Sequence, residues 1–237
     1  MMRPMCGIGG VFNLDSEGPP PERELLGRMA ASLHHRGPDE RGFYRDRRVG
    51  LAHTRLSIVD LQSGQQPLSV DEGRLWIAYN GEIYNHVELR DELREEGWAF
   101  HTASDTEVVA TAWCAWGPRA LDRFNGQWAF ALYDRERGEL VLSRDRFGIR
   151  PLFYAEHRGR LLFASEIKAL FAAEPALSQG FDPVGMDEAL TFWSPQAPHT
   201  AFSGVAQLEP GHLRIVKPGQ VVDRAYWRPT TPARSTG

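Results

Sequence analysis

The sequence predicts an α+β fold built on antiparallel sheets, and three observations carry that prediction. Segments of strand character occur in runs and do not alternate regularly with helices, which argues against βαβ units and a parallel sheet. The turns between them are rich in Gly, Pro, Asn and Arg, as expected between antiparallel neighbours. A chain of 237 residues that is 42% apolar and 24% charged is long enough to bury the core of such a fold.

Residues 7–14 read as a buried strand starting directly after Cys6. Leu25, Leu26, Met29, Ala30 and Leu33 fall at helical spacing, and the Pro19-Pro20-Pro21 run marks the entry to that helix. Residues 75–79 form a short apolar strand that ends at Asn80-Gly81, a pair that also reads as an ordinary turn. Asn85 and Glu88 have capping-box spacing for a helix that Gly97 closes. Ser104 and Glu107 repeat that signature before a helix over 108–116. Residues 127–133, 139–143, 152–156 and 160–164 then read as successive strands of an antiparallel meander. A short helix is expected over 167–171, and a late hairpin over 213–216 and 221–222 around Pro218-Gly219. The Pro, Thr, Ser and Arg of 229–237 lack the apolar content to fold, so a linker or frayed end is expected there.

A formal charge of −4 argues against a general role at nucleic acids or membrane surfaces. The basic run from Arg45 to Arg48 is interrupted by Asp46 and reads as a solvated loop. No apolar run approaches the ~18 residues that span a bilayer. The opening residues also lack the apolar region of a signal peptide. Cys6 and Cys114 are too few and too far apart for a disulfide framework or a metal site, which fits a reducing cytoplasm. Cys114, between tryptophans on an expected helix, reads as core filler.

Several short stretches, in order, resemble the class II glutamine amidotransferase domain, specifically its asparagine synthetase branch. They are Met5-Cys6-Gly7-Ile8, His35-Arg36-Gly37-Pro38-Asp39, Arg55-Leu56-Ser57-Ile58-Val59-Asp60 and Gln66-Pro67-Leu68. They continue with Tyr79-Asn80-Gly81-Glu82-Ile83-Tyr84-Asn85, Ser104-Asp105-Thr106-Glu107 and Asn125-Gly126-Gln127-Trp128-Ala129-Phe130-Ala131. Arg144-Asp145, the stretch from Gly148 to Tyr154, and Ala164-Ser165-Glu166-Ile167-Lys168-Ala169-Leu170 complete the set. The resemblance implies an N-terminal-nucleophile hydrolase fold, a four-layer αββα sandwich of two antiparallel sheets, over residues 6–228.

It also implies a chemistry. Cys6 matches the nucleophile, although a cysteine in an apolar strand read alone is inert packing. A thiol with its own free α-amino group unites nucleophile and proton acceptor, because that amine has an ordinary pKa of ~7.7–8.0. Asn80 and Gly81 match the oxyanion hole, a side-chain amide and a backbone N–H converging on one oxygen. Arg55 matches the group that binds the substrate carboxylate, for which a guanidinium fork is suited. Asp105 and Glu82 match positions that hold the substrate α-amino group; an acid in a helix's first turn is the plainer account of Asp105. Leu56, Ile58 and Val59 complete the expected pocket. Arg36 to Asp39 and Arg144-Asp145 are expected to shape it without taking a chemical step.

The implied activity is hydrolysis of L-glutamine to glutamate and ammonia through a cysteinyl thioester. The expected partner is a synthetase domain or subunit that uses the ammonia to amidate aspartate. No metal or cofactor is expected for the glutaminase half, ATP and magnesium belonging to the synthetase half. A glutaminase serving another acceptor, as in secondary-metabolite or cell-surface amidotransferases, and a non-catalytic scaffold are the alternatives; a homo-oligomer is compatible with any of them. Residues 1–5 precede the expected nucleophile, so translation is expected to start at Met5, or the extension to be cleaved. With no pyrophosphate-binding loop before Gly237, an expressed fragment, a truncated gene product or one subunit of a split enzyme is expected.

Overall fold

The computed structural model describes residues 5–15, 18–56 and 64–230. Two six-stranded sheets, antiparallel at every pairing, lie face to face. The first comprises β1 (Gly7–Asn13), β2 (Glu40–Arg45), β3 (Val49–Arg55), β8 (Phe153–His157), β9 (Arg160–Ala164) and β10 (Ala206–Gln207), in the order β10-β8-β9-β1-β3-β2. The second comprises β4 (Leu68–Val70), β5 (Leu75–Ile83), β6 (Gly126–Asp134), β7 (Glu139–Arg144), β11 (His212–Lys217) and β12 (Gln220–Ala225), in the order β12-β11-β7-β6-β5-β4. Among the described residues six α-helices accompany them: α1 (Arg23–Ser32), α2 (His86–Glu95), α3 (Asp105–Trp116), α4 (Ala120–Arg123), α5 (Ile167–Ala173) and α6 (Pro183–Phe192).

Side-chain alternation sorts the sheets into layers. Ile8, Phe12 and Leu51 of the first sheet meet Ala78, Ala129, Ala131 and Leu142 of the second, where the three alanines let the sheets approach closely. The outward residues Val11, Ala52 and Leu162 pack under Leu26, Met29 and Leu170 of α1 and α5. On the opposite side, Ile77, Phe130 and Leu132 pack under Leu89, Leu93 and Val108 of α2 and α3. The result is the four-layer αββα sandwich. No helix among the described residues is long and apolar enough to cross a membrane.

Several expectations are corrected by tertiary context. Asn80-Gly81 is not a turn: β5 runs through it, pairing Asn80 with Ala129 and Gly81 with Trp128. A Cβ at Gly81 would lie 2.3 Å from the Gln127 carbonyl oxygen and 2.9 Å from Trp128 Cα, so this glycine serves strand packing. The four strands expected as one meander form two hairpins in different sheets, β6–β7 and β8–β9. Asn85 starts α2 but does not cap it, because its side chain donates to the Arg123 carbonyl and accepts from Asn125 N–H. Ser104 does cap α3 by accepting from Thr106 N–H, but Glu107 accepts instead from His101 and Thr102. Arg45 belongs to β2 and donates to the Pro21 carbonyl, so only part of its basic run lies in a turn. Of the expected tail, 231–237 lie outside the described residues.

Candidate active site

The parity that builds the layers also aims the site. Cys6 stands just before β1, and Arg55 follows His53 by one strand repeat on β3. His53 pairs with Ile8, so the even-numbered residues of β1 and the odd-numbered end of β3 face the second sheet. Asn80 shares the inward face of β5 with Ala78. The thiol, the arginine and the amide therefore converge from both sheets on one end of the sandwich. They line a cavity of about 450 Å³ together with Met5, Leu56, Gly81, Glu82 and Asp105. Every expected site residue among the described ones is thus in one place; Ile58 and Val59 lie outside the described residues.

The thiol is bracketed by a single peptide. Leu56 N–H donates to Cys6 Sγ at 3.4 Å, and the thiol donates to Leu56 O at 3.7 Å. Burial pushes the thiol pKa up, opposed by the Leu56 N–H and by the charges of Arg55 and Arg150. Arg36 anchors the strand start: its Nε donates to the Cys6 carbonyl at 3.1 Å, and its Nη1 pairs with Glu166 at 2.8 Å.

The edge of β5 supplies the donors. Both backbone groups of Trp128 face Asp145, on the far side of β6 from β5: its carbonyl accepts from Asp145 N–H at 2.8 Å and its N–H donates to Asp145 Oδ2 at 3.3 Å. Gly81, directly opposite Trp128, is therefore in a non-hydrogen-bonded pair, and its N–H points off the free edge of β5. β4 ends its pairing at Ile77, and no strand among the described residues covers the edge beyond. Side chains cover part of it. Tyr79 N–H donates to Gln66 Oε1 at 2.6 Å, and Ile83 N–H donates to Asp105 Oδ2 at 3.1 Å. His53 Nε2 bonds the Tyr79 carbonyl at 3.0 Å across the two sheets. Burial holds that imidazole neutral, its pKa lowered to about 4. Asn80 Nδ2 is buried and has no partner among the described residues. A buried amide donor without a partner costs ~1–3 kcal/mol, which is sustained where a ligand is to be met.

Asp105 opens α3, and its Oδ2 accepts from both Tyr79 Oη (2.8 Å) and Ile83 N–H. The helix N-terminus favours the charge there, as the plainer reading expects, yet the residue also borders the cavity. Arg55 is buried and pairs with Glu40 at 2.8 Å, while Glu82 is exposed at the rim. Cys114 lies away from the cavity, packed against the helix-side core, and burial raises its pKa to about 12.

Arg144 and Asp145 organise the crossover from β7 to β8. Asp145 Oδ1 accepts from the N–H groups of Phe147 and Ile149, and its Oδ2 from Arg150 N–H. Arg144 donates to the carbonyls of Arg150, Leu208 and Gly148. This loop carries Arg150 into the cavity; it stands inside a quoted stretch, as do Gln66, Tyr79 and Gln127, but the motifs gave none of the four a role at the site. His53 precedes Arg55 by one strand period, so those signals were within reach. No group of three or more His, Cys, Asp or Glu suited to a metal ion occurs among the described residues.

The family model for the glutamine amidotransferase domain matches residues 5–227. Asparagine synthetase (glutamine-hydrolyzing) 1 of Bacillus subtilis is 36% identical over 226 residues, which cover 94% of this chain and 35% of that protein. Asparagine synthetase B of Escherichia coli is 44% identical over 168 residues, 70% of this chain and 30% of that protein. The amidase chry2 of Gibberella zeae is 34% identical over 236 residues, with 94% and 34% covered. The chain thus spans about a third of the length of these relatives. Among solved structures, the glutamine phosphoribosylpyrophosphate amidotransferase of B. subtilis superposes with a TM-score of 0.68 at 20% identity, covering 94% of this chain and 49% of that one. That likeness shows the shared N-terminal-nucleophile hydrolase fold.

Proposed function

We infer the function from one premise: this chain belongs to the glutamine amidotransferase domain family. It is a class II glutamine amidotransferase domain, homologous to glutamine-hydrolyzing asparagine synthetases. On that basis its reaction is hydrolysis of L-glutamine, with Cys6 as nucleophile. The observation that carries this reading is a half-buried thiol sharing a cavity with Asn80 Nδ2, a buried donor without a partner among the described residues.

The steps follow from the donors and acceptors present. With Cys6 as the mature N-terminus, its α-amine takes the thiol proton while sulfur attacks the side-chain amide carbon of glutamine. Asn80 Nδ2 and Gly81 N–H donate to the oxyanion that forms. The C–N bond breaks, the proton returns to nitrogen, and ammonia leaves. Water, losing a proton to the same amine, then attacks the thioester; the C–S bond breaks, glutamate departs and the thiol is regenerated. Arg55 binds the substrate carboxylate, and Asp105 and Glu82 its ammonium group, with Leu56 and, beyond the described residues, Ile58 and Val59 completing the pocket. The glutaminase half uses no metal or cofactor.

The domain covers residues 6–228, and residues 1–5 are absent from the working enzyme. While they stay attached, the Cys6 nitrogen is an amide and no base. Ammonia passes to an ATP- and magnesium-dependent synthetase domain acting on aspartate, in a reducing cytoplasm. The amidase relatives favour a second reading, the same glutaminase serving a different acceptor.

Intact mass identifies the mature N-terminus, and glutamate release from wild type and Cys6→Ala tests the nucleophile. The expected result is turnover in a protein that begins at Cys6 and none in Cys6→Ala. Turnover that survives in Cys6→Ala rejects the assignment.

A further inference from the structure

We propose that Arg150 sets the charge state of the nucleophile, its guanidinium favouring the thiolate of Cys6 and the neutral form of the α-amine that activates it. The inference rests on the reading of Cys6 as the nucleophile. It adds a residue that makes no covalent contribution and that acts through another group.

Three arginines lie near Cys6, Arg55 and Arg150 on the cavity wall and Arg36 on the Cys6 carbonyl, and they are not electrostatically equal. Arg36 is paired with Glu166 at 2.8 Å and Arg55 with Glu40 at 2.8 Å, so much of each field is cancelled. Arg150 makes no ion pair among the described residues, and its Nε is buried with no hydrogen-bond partner. The guanidinium is also unnecessary for holding its own loop. The Arg150 peptide is fixed at both ends, N–H to Asp145 at 2.9 Å and carbonyl to Arg144 at 2.9 Å. A buried cation without a counterion is costly, and it persists where its field is used.

The sign of that field follows from the other groups around Cys6. Asp105, from α3, opposes thiolate formation, and Tyr79 on β5 is kept neutral because burial raises its pKa well above the ordinary range. Glu82 stands exposed at the rim, where solvent screens it. Burial itself disfavours the thiolate. The charge of Arg150 acts against these influences, and Arg55 adds to it. A neighbouring positive charge lowers the pKa of a thiol and of an ammonium alike. Both changes move an N-terminal cysteine toward the reactive pair near neutral pH.

The test is the pH dependence of Cys6 alkylation by iodoacetamide, a reaction of the thiolate that needs no glutamine. Modification is read at the Cys6 peptide, so Cys114 does not interfere. Arg150→Met is expected to slow alkylation at pH 7 about tenfold, the apparent thiol pKa rising by about one unit, while Arg150→Lys retains most of the wild-type profile. If Arg150→Met is not recovered folded, Arg150→Gln makes the same comparison. A wild-type profile in the neutral variant overturns the proposal. So does an Arg150→Lys profile as displaced as that of Arg150→Met, which marks a loop effect. A raised KM for glutamine with unchanged alkylation assigns Arg150 to substrate binding and likewise overturns it. Because alkylation is independent of turnover, it measures the influence of Arg150 even in a protein that never hydrolyses glutamine.

Discussion

Asn80→Ala is expected to separate stability from activity. Its Nδ2 is buried with no partner among the described residues, so the folded protein bears the desolvation of that donor, about 1–3 kcal/mol. Truncation removes that penalty and gives up packing of similar size against the cavity wall. The net change in stability should stay within about 1 kcal/mol, or about 2–4 °C in Tm for a chain of this length. Activity should behave otherwise. An oxyanion donor contributes in the transition state, and losing one lowers kcat by ~10²–10³, equivalent to ~2.7–4 kcal/mol. KM should change little, since ground-state binding does not use that bond. Steady-state glutamate release gives kcat and KM, and thermal unfolding gives Tm. A loss in kcat below tenfold refutes the role of the amide. A fall in Tm beyond about 8 °C refutes the view that the folded protein tolerates this donor unpaired only for substrate.

Gly81→Ala places a Cβ 2.3 Å from the Gln127 oxygen, about 1 Å inside contact distance, so β5 and β6 must part. A displacement of that size at the N–H should cost about 10²-fold in kcat/KM and about 1–3 kcal/mol of stability; kinetics within twofold of wild type would show that the edge N–H is not used. Arg55→Lys exchanges a planar fork for a point charge and should raise KM for glutamine about tenfold with kcat nearly unchanged, whereas an unaltered KM removes Arg55 from carboxylate binding. His53 has a folded-state pKa of about 4 against about 6.5 unfolded, so protonation favours the unfolded chain. Its contribution is present in full above pH ~6.5 and declines by about 3 kcal/mol as pH falls to about 4, a loss that chemical denaturation should find in wild type and not in His53→Gln; parallel pH profiles contradict this.

Much of the fold was legible because its signals are local. The strand after Cys6, the helical spacing of Leu25 to Leu33, the closure of α2 at Gly97 and the hairpin at Gly219 each depend on neighbours a few positions apart. Other elements were not read. The β2–β3 hairpin lacks a two-residue turn signal, its turn being built by Asp46, whose carboxylate accepts from the N–H groups of Arg48 and Val49. Helix α6 does carry a local start signal, Asp182 accepting from Gly185 N–H ahead of Pro183, but exposed Leu190, Phe192 and Trp193 blur its apolar period.

For the site, the division falls between identity and placement. The sequence by itself nominated the residues proposed to carry the chemistry, because thiol, amide, guanidinium and carboxylate are properties of single side chains met in a recognisable order. Only the tertiary structure decided what each one faces. It ran β5 straight through Asn80-Gly81, left the edge beyond Ile77 without a strand partner among the described residues, and swung Arg150 into the cavity on a loop held by Asp145. Burial and unpaired donors arise from contacts between segments tens of residues apart, and local patterning has no access to those.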